Sequence, residues 1–581
     1  MFVFFLFLPL FCQITPLRAE NFGDLRNLSD AHTDARFVPV HYRTLAEWQQ
    51  QRARIRTQIL TAAGLHPLPD RTPLQLRRSH STTFDNFIIE VVSFQPFPGL
   101  HIAANLYRPL RPRGRRPAIL VPHGHWKNGR IHDDDEYSVP KLCANLAMQG
   151  YTALAFDMLG YNESRQLPHK FGSSTEEQLW SFHPLGLQLW TAIRALDLLQ
   201  SLPYVDPQRL AVTGASGGGT QTMLLAAVDD RVKASAPVVM VSAHFQGDDP
   251  CEMAPGLRVN TNNVEIAAAV APRPLLLISS ARDWTRDTPK IEYPAIRDIF
   301  RLYNSADRAA FHHTDAKHNY NRDSREAFYR FLHRHLPRSA TRTPEPTEKP
   351  VPTLPEKALL WPKPFTEENG YPSRAQILNE WKQRARRQAE AASPEALRDR
   401  LLAIIGFESA AVQSLALPQW MLLHRQGHGE RIPARWIPGT SPNTAIVVTS
   451  AGIDSDTHQK LTETYRAQAW NVLSIDPYQS GTATAPRPSP RKDHLVFHYS
   501  DDAYRIQDIL TAIGYAPTPA VLVCDKDASP WCLAAAALSP TPVKLDIAAQ
   551  PTEAAFLDRV SLPGFERAGG FPALLRLSRK P

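Results

Sequence analysis

Cysteine is scarce in this chain: five residues in 581, at positions 12, 143, 251, 524 and 532. That excludes a small disulfide scaffold, and no two of them have zinc-finger spacing. Long apolar runs are scarcer still. Past the first twelve residues, MFVFFLFLPLFC, nothing is apolar for long enough to cross a bilayer, and that run is itself too short to do so as a helix. Charge of one sign is lacking as well. The 65 Lys and Arg against 57 Asp and Glu give a net +8 with both signs interleaved, so there is no basic block to grip nucleic acid, and no such partner is expected. HExxH and EF-hand patterns are absent. His123, His125, His132, Asp133, Asp134 and Asp135 lie close in sequence but follow no ligand spacing. Neither a metal nor a cofactor is expected, and the acidic run reads as a solvated loop.

What is present is the composition of a folded protein, with 43% hydrophobic and 21% charged residues. The length exceeds one ordinary core and is read most simply as two domains. The apolar start, followed by polar residues and a small residue at Ala19, predicts a signal segment over residues 1–20 and a secreted or periplasmic protein, free of the membrane once the segment is removed. No Lys or Arg precedes the apolar stretch, and Leu17 is bulky for a residue three before the cut. Cys12 follows Phe11, which argues against lipid anchoring.

Residues 91–336 alternate short apolar runs (AILVPHG, TALAF, LAVTG, APVVMV, PLLLIS) with amphipathic stretches such as LGLQLWTAIRALDLLQSL. Strand and helix alternating in this way predict a mostly parallel sheet with helices on both faces. After it, TRTPEPTEKPVPTLPEK carries five prolines among polar residues and reads as an extended linker. The expected division is a catalytic α/β domain with an N-terminal helical segment over 21–338, a linker over 339–358 and a second domain over 359–581. The second domain repeats the first. Glu47-Trp48 running to Gly64 matches Glu380-Trp381 running to Gly406, the strand Ala118 to Val121 matches Ala445 to Val448, and AMQGYTALAFD matches RAQAWNVLSID, with Asp157 opposite Asp476.

Chemistry concentrates in LAVTGASGGGTQTMLLAAV, where Gly214-x-Ser216-x-Gly218 falls between an apolar strand and an apolar helix. A nucleophile elbow has this context: the tight turn lifts the serine hydroxyl out at the carboxyl end of the sheet, above a helix N-terminus that favours negative charge. A serine needs a base, and the base an acid, in the chain order Ser, Asp, His. Asp283 follows the strand PLLLIS, with Asp287 as the runner-up at the following helix start. His318 lies in a loop between the last strand and an amphipathic helix. His312 and His313 read as strand residues, and His333 and His335 as helix residues. Backbone N–H groups of Gly217 and His125 are the expected oxyanion donors, with His123 bracing their loop.

The segments HGHW, DMLGYNES, GASGGGTQT, SARDWTRDTPKIEYPAI and KHNYNRDSREA resemble bacterial acetyl xylan esterase-like members of the α/β-hydrolase superfamily, over roughly residues 40–336. The resemblance implies an exported serine carboxylesterase that removes acetyl or similar groups from plant polysaccharide, with Ser216, Asp283 and His318 as triad. It also implies that Trp126, Trp284 and the insertion HFQGDDPCEMAPGLRVNTNN wall the pocket. The substrate would be an acylated polysaccharide or a small ester. A glucuronoyl esterase or a serine peptidase would use the same triad, and a non-catalytic carbohydrate-binding or adhesion protein is the alternative of another class.

In the second half AVLVCDKDASPWCLAAAAL stands opposite the elbow. Lys526 or Asp527 takes the serine's place, Ser529 lies between Ala528 and Pro530, and no flanking glycine remains. The closing LLRLSRKP matches the AAAVAPRP that precedes the Asp283 strand. A degenerate, catalytically silent hydrolase-like domain is therefore expected.

Overall fold

The computed structural model describes residues 22–111, 114–337, 346–352 and 354–578, so the expected signal segment lies outside the described residues. Two sheets share one plan. The first holds β1 (Arg77–Thr83), β2 (Phe87–Phe97), β3 (Leu100–Pro109), β4 (Arg116–Pro122), β5 (Thr152–Phe156), β6 (Val205–Ala215), β7 (Val232–Val238), β8 (Leu275–Ser280) and β9 (Ala309–Thr314), in the order β1-β2-β3-β5-β4-β6-β7-β8-β9. Pairing is antiparallel from β1 to β5 and parallel from there to β9. This is an α/β-hydrolase sheet. The central strands are apolar on both sides, and successive residues enter opposite cores: Leu120, Leu154 and Val212 on one face, Ile119, Ala153 and Ala211 on the other. The run APVVMV is strand only as far as Val238, because Val239 turns out of the sheet at φ 45°.

The second sheet holds β10 (Val412–Ala416), β11 (Met421–Arg425), β12 (Ile432–Ile437), β13 (Thr444–Val448), β14 (Asn471–Ile475), β15 (Ala520–Cys524) and β16 (Lys544–Ile547), in the order β10-β11-β12-β14-β13-β15-β16. It reproduces β1 to β7 strand for strand. Among the described residues it has no counterpart of β8 and β9. Leu120 of β4 pairs with Leu154 and Val212, and its counterpart Ile446 of β13 pairs with Leu473 and Leu522. The same offset from Val212 and Leu522 leads to Ser216 in one half and Lys526 in the other. One face of this sheet is thinly covered, by a cluster of Ala445, Val447, Val472, Val523 and Tyr465.

Where the first half makes its serine turn, the second has a disulfide joining Cys524 at the end of β15 to Cys532 in the following helix Ser529–Leu538; Cys143 and Cys251 are free and buried. Closing a loop this short restricts the unfolded chain by about 2–3 kcal/mol. The double change Cys524→Ser with Cys532→Ser is expected to lower the stability of the second half by that amount in a urea titration, and to leave ester hydrolysis unchanged.

The described part of the proline-rich stretch is not a free spacer. Glu348 forms a buried ion pair with Arg325 at 2.7 Å, Lys349 N–H donates to Asn145 Oδ1 at 2.7 Å, and Leu354 and Leu359 join a core cluster of the first half. Proline fixes extended backbone but does not keep it off a surface, and the leucines and Glu348 between the prolines supply the contacts. The two halves are also packed together. Trp381 is 2% exposed and donates its indole N–H to Trp180 O at 2.8 Å, and Arg567 donates to Gly64 O at 2.8 Å. The N-terminal strand of chain runs over both: Arg26 reaches Asp508 at 2.8 Å, Thr33 N–H donates to Asp493, and Phe37 stacks on Phe497. Among the described residues no helix is long and apolar enough to cross a membrane.

Candidate active site

The parallel strands β4, β6, β8 and β9 deliver His125, Ser216, Asp283 and His318 to one sheet edge, each just past a strand's carboxyl end. Ser216 sits between β6 and the helix Gly217–Val228 with φ 58° and ψ −124°, a backbone conformation costly for any residue with a Cβ. The turn is tight because Pro122 O of β4 lies directly beneath it: a Cβ on Gly214 or on Gly218 would come within 2.3 Å of that oxygen. The glycines of the motif are thus fixed by close approach as much as by conformation.

His318 Nδ1 lies 3.0 Å from Asp283 Oδ2. Asp283 is nearly buried, with 3% of its side chain exposed, and its other oxygen accepts from both the N–H and the hydroxyl of Thr285 at 2.6 Å. The carboxylate therefore has a fixed orientation, and its bond to Nδ1 leaves His318 Nε2 free to take a proton. Two contacts tie the His318 loop to its neighbours. Ser280 Oγ at the end of β8 donates to Lys317 O at 2.8 Å, and the Tyr320 hydroxyl meets Thr213 Oγ1 of β6 at 2.8 Å, three residues before Ser216. Trp126 lies parallel to the His318 ring at 5.3 Å and Trp284 packs on it at 4.4 Å, so both expected pocket tryptophans flank this histidine.

Replacing Thr285 by Val removes one charge-assisted hydrogen bond from Asp283. Such a bond contributes roughly 1.5–3 kcal/mol, so kcat/KM is expected to fall about 10-fold to 100-fold. Thr285→Ser, which keeps the hydroxyl, should restore it in the same steady-state assay.

His123 braces the β4 loop, with Nδ1 2.7 Å from Gly124 O and Nε2 accepting from Met158 N–H at 2.9 Å; burial pushes its pKa down to about 3, so it stays neutral. Among the described residues the backbone N–H groups of His125 and Gly217 donate to no backbone carbonyl, and the first N–H of a helix has no partner within the helix. The His125 ring covers Gly217, where a Cβ would come within 2.6 Å of its Cε1. Burial holds His125 down to about 4.

The other candidates disperse. Asp287 precedes the helix Glu292–Leu302 and lies 3.8 Å from His244, away from His318. His312 pairs with Asp323 and His313 with Ser279 on β9, while His333 and His335 lie on the helix Arg322–His335. His132 pairs with Asp134, and Asp133 with Lys141, so the acids and histidines grouped in sequence do not converge. Thr285 was missed, although an Asp followed two residues later by Thr is the signature of a side chain that holds its own turn. Also missed was a meeting of His125 with His169, Asp249 and Cys251, which come from three separate loops. A cavity of about 720 Å³ opens at the seam of the two halves, lined by Arg54, Gln58, His66, Asp399 and Tyr499 among others; Ser216, Asp283 and His318 are not in its lining.

A serine turn, a histidine oriented by a carboxylate and two backbone N–H groups that donate to no backbone carbonyl thus lie at the carboxyl edge of this α/β-hydrolase sheet. Residues 74–248 match the acetyl xylan esterase family, AXE1. The relative named "Putative hydrolase YtaP" of Bacillus subtilis (strain 168) is 26% identical over 250 residues, which cover 40% of this chain and 81% of that one. Among solved structures, Methylesterase BT1017 is 27% identical with a TM-score of 0.48, covering 62% of this chain and 77% of its own. The glucuronoyl esterase from Solibacter usitatus is 15% identical with a TM-score of 0.41, covering 53% and 99%. The chain is thus similar to carboxylic ester hydrolases, and residues 74–248 are acetyl xylan esterase-like.

Proposed function

We propose that the protein is an exported serine carboxylesterase that removes acetyl or similar acyl groups from plant polysaccharide. The observation that carries the reading is the Asp283–His318 pair at 3.0 Å, at the sheet edge where Ser216 is held at φ 58°. His318 Nε2 takes the Ser216 hydroxyl proton as Oγ attacks the ester carbonyl, and Asp283 stabilises the imidazolium. The oxyanion of the tetrahedral intermediate accepts hydrogen bonds from the N–H groups of Gly217 and His125. His318 then protonates the departing sugar hydroxyl, leaving an acyl-Ser216 ester, and a water deprotonated by His318 releases the acid. Trp126 and Trp284, both half-buried, offer aromatic faces for a sugar ring. Export is supported by the apolar first twelve residues and by the Cys524–Cys532 disulfide, a bond that persists in oxidising compartments.

The test compares acetate release from acetylated xylan, 4-nitrophenol release from short-chain nitrophenyl esters, and cleavage of glucuronoyl methyl esters and of peptides, alongside labelling by a fluorophosphonate. Acetate release with stoichiometric labelling at Ser216 is expected. Turnover of glucuronoyl esters alone would reassign the substrate, activity on peptides alone would overturn the esterase reading, and absence of labelling would overturn the serine mechanism.

A further inference from the structure

Among the described residues one group of metal-ligating side chains converges: His125, His169, Asp249 and Cys251, whose ligand atoms all lie within 4.8 Å of one another. His125 Nε2 is 3.0 Å from Cys251 Sγ, and His169 Nε2 is 3.2 Å from Asp249 Oδ1. A tetrahedral zinc ion bound by nitrogen, oxygen and sulfur has ligand-to-ligand edges of roughly 3.3–3.8 Å; two of the pairs already lie near that spacing and the rest within 4.8 Å, so small side-chain shifts would bring all four to its corners.

The second observation concerns protons. His169 Nδ1 lies 2.9 Å from Leu159 O and is committed as a donor, so in the neutral ring Nε2 carries a lone pair. That lone pair faces the Asp249 carboxylate. Both atoms are buried and neither has a hydrogen bond, although they lie within ion-pair distance. Two buried acceptors pointed at each other call for a proton or a metal cation between them, and Lys170 reaches only the other carboxylate oxygen, Oδ2, at 3.4 Å. A ring nitrogen that donates to a backbone carbonyl while the other faces inward is also the usual arrangement of a metal-binding histidine. Cys251, 1% exposed and free, completes a set of two imidazoles, a carboxylate and a thiol that suits zinc and not calcium or magnesium.

We propose that these four side chains bind one zinc ion or a similar borderline divalent cation, with Cys251 releasing its thiol proton on binding. This goes beyond the sequence-based expectation of no metal, which weighed His125 only with its neighbours along the chain. The ion would staple three loops at the rim of the active site: the one after β4, the one carrying His169 and the one carrying Asp249 and Cys251. Because the His125 ring lies on Gly217, the staple bears directly on the turn that holds Ser216.

The experiment uses the full chain, stripped with chelator and titrated with Zn2+ by calorimetry and native mass spectrometry, and with Co2+ by absorption. Its readouts do not depend on ester hydrolysis. One ion per chain is expected, with a thiolate-to-cobalt charge-transfer band that Cys251→Ser abolishes, and affinity lowered by at least about 100-fold in both Cys251→Ser and His169→Asn. Should Cys251→Ser not fold, the wild-type band and His169→Asn still decide. No saturable binding to the wild type would overturn the proposal and assign His169 as a protonated partner of Asp249. Binding that survives both substitutions would overturn it by placing the ion elsewhere.

Discussion

Ser216→Ala is expected to lower kcat by roughly 10^5-fold to 10^6-fold on any ester the protein turns over, as removal of a serine nucleophile does when base and oxyanion donors remain. The loss should be chemical and not structural. Alanine and serine meet the same backbone strain at φ 58°, and the turn's own bonds, Ser216 N–H to Val238 O and Thr220 N–H to Ser216 O, both at 3.0 Å, do not use the hydroxyl. A melting temperature within about 2 °C of wild type should therefore accompany the loss, since a neutral substitution changes stability by only a few tenths of a kcal/mol. The second half offers no reserve nucleophile. The residue in register with Ser216 is Lys526, exposed, with its carbonyl accepting from Ser529 Oγ at 2.8 Å. A Ser216→Ala enzyme that kept more than about one per cent of wild-type kcat would overturn both the serine mechanism and this division of labour.

Arg130→Met is expected to have the largest effect on stability, a loss of about 3–5 kcal/mol, read as a lower urea midpoint of the first half. Arg130 is fully buried in the loop after β4. Its guanidinium donates to Asp157 at 2.5 Å, Glu163 at 2.7 Å, Asn105 Oδ1 at 2.9 Å and Leu359 O at 3.0 Å. Burial pushes the Asp157 carboxyl upward even with this cation beside it. Without the guanidinium, two carboxylates face each other away from water, and one must be protonated or the loops must part. The pair joins the strand ends beneath the active site to the chain leading into the second half, so activity should fall with stability. Arg130→Lys, which keeps the charge but not the fork, should recover only part of the loss. An unchanged urea midpoint in Arg130→Met would refute the assignment of this cluster as a keystone.

Much of the fold was readable because its signal is local. Apolar runs marked β4, β5, β6 and β8, and the order of loops predicted that Asp283 and His318 would meet, which they do at 3.0 Å. The internal repeat was legible for the same reason, and the two strand orders agree from β1 to β7. The antiparallel β1 was not, since its exposed RRSHSTT carries no apolar alternation and becomes a strand by pairing with β2. The packing of the proline-rich stretch was hidden because it depends on Arg325 and Asn145, distant in sequence. The meeting of His125 with His169, Asp249 and Cys251 was hidden more deeply, for no spacing along the chain records which loops a sheet edge will bring together.

The contact between Arg26 and Asp508 spans 482 positions of sequence, and the guanidinium lies over the rings of Tyr478 and Tyr504 as well. This has a consequence in time. Synthesis runs from the N-terminus, so the segment around Arg26 emerges before its partner and cannot dock on Asp508 until β10 to β14 have followed it. Docking of Arg26 is thus a late event, one that waits for most of both sheets to have been made.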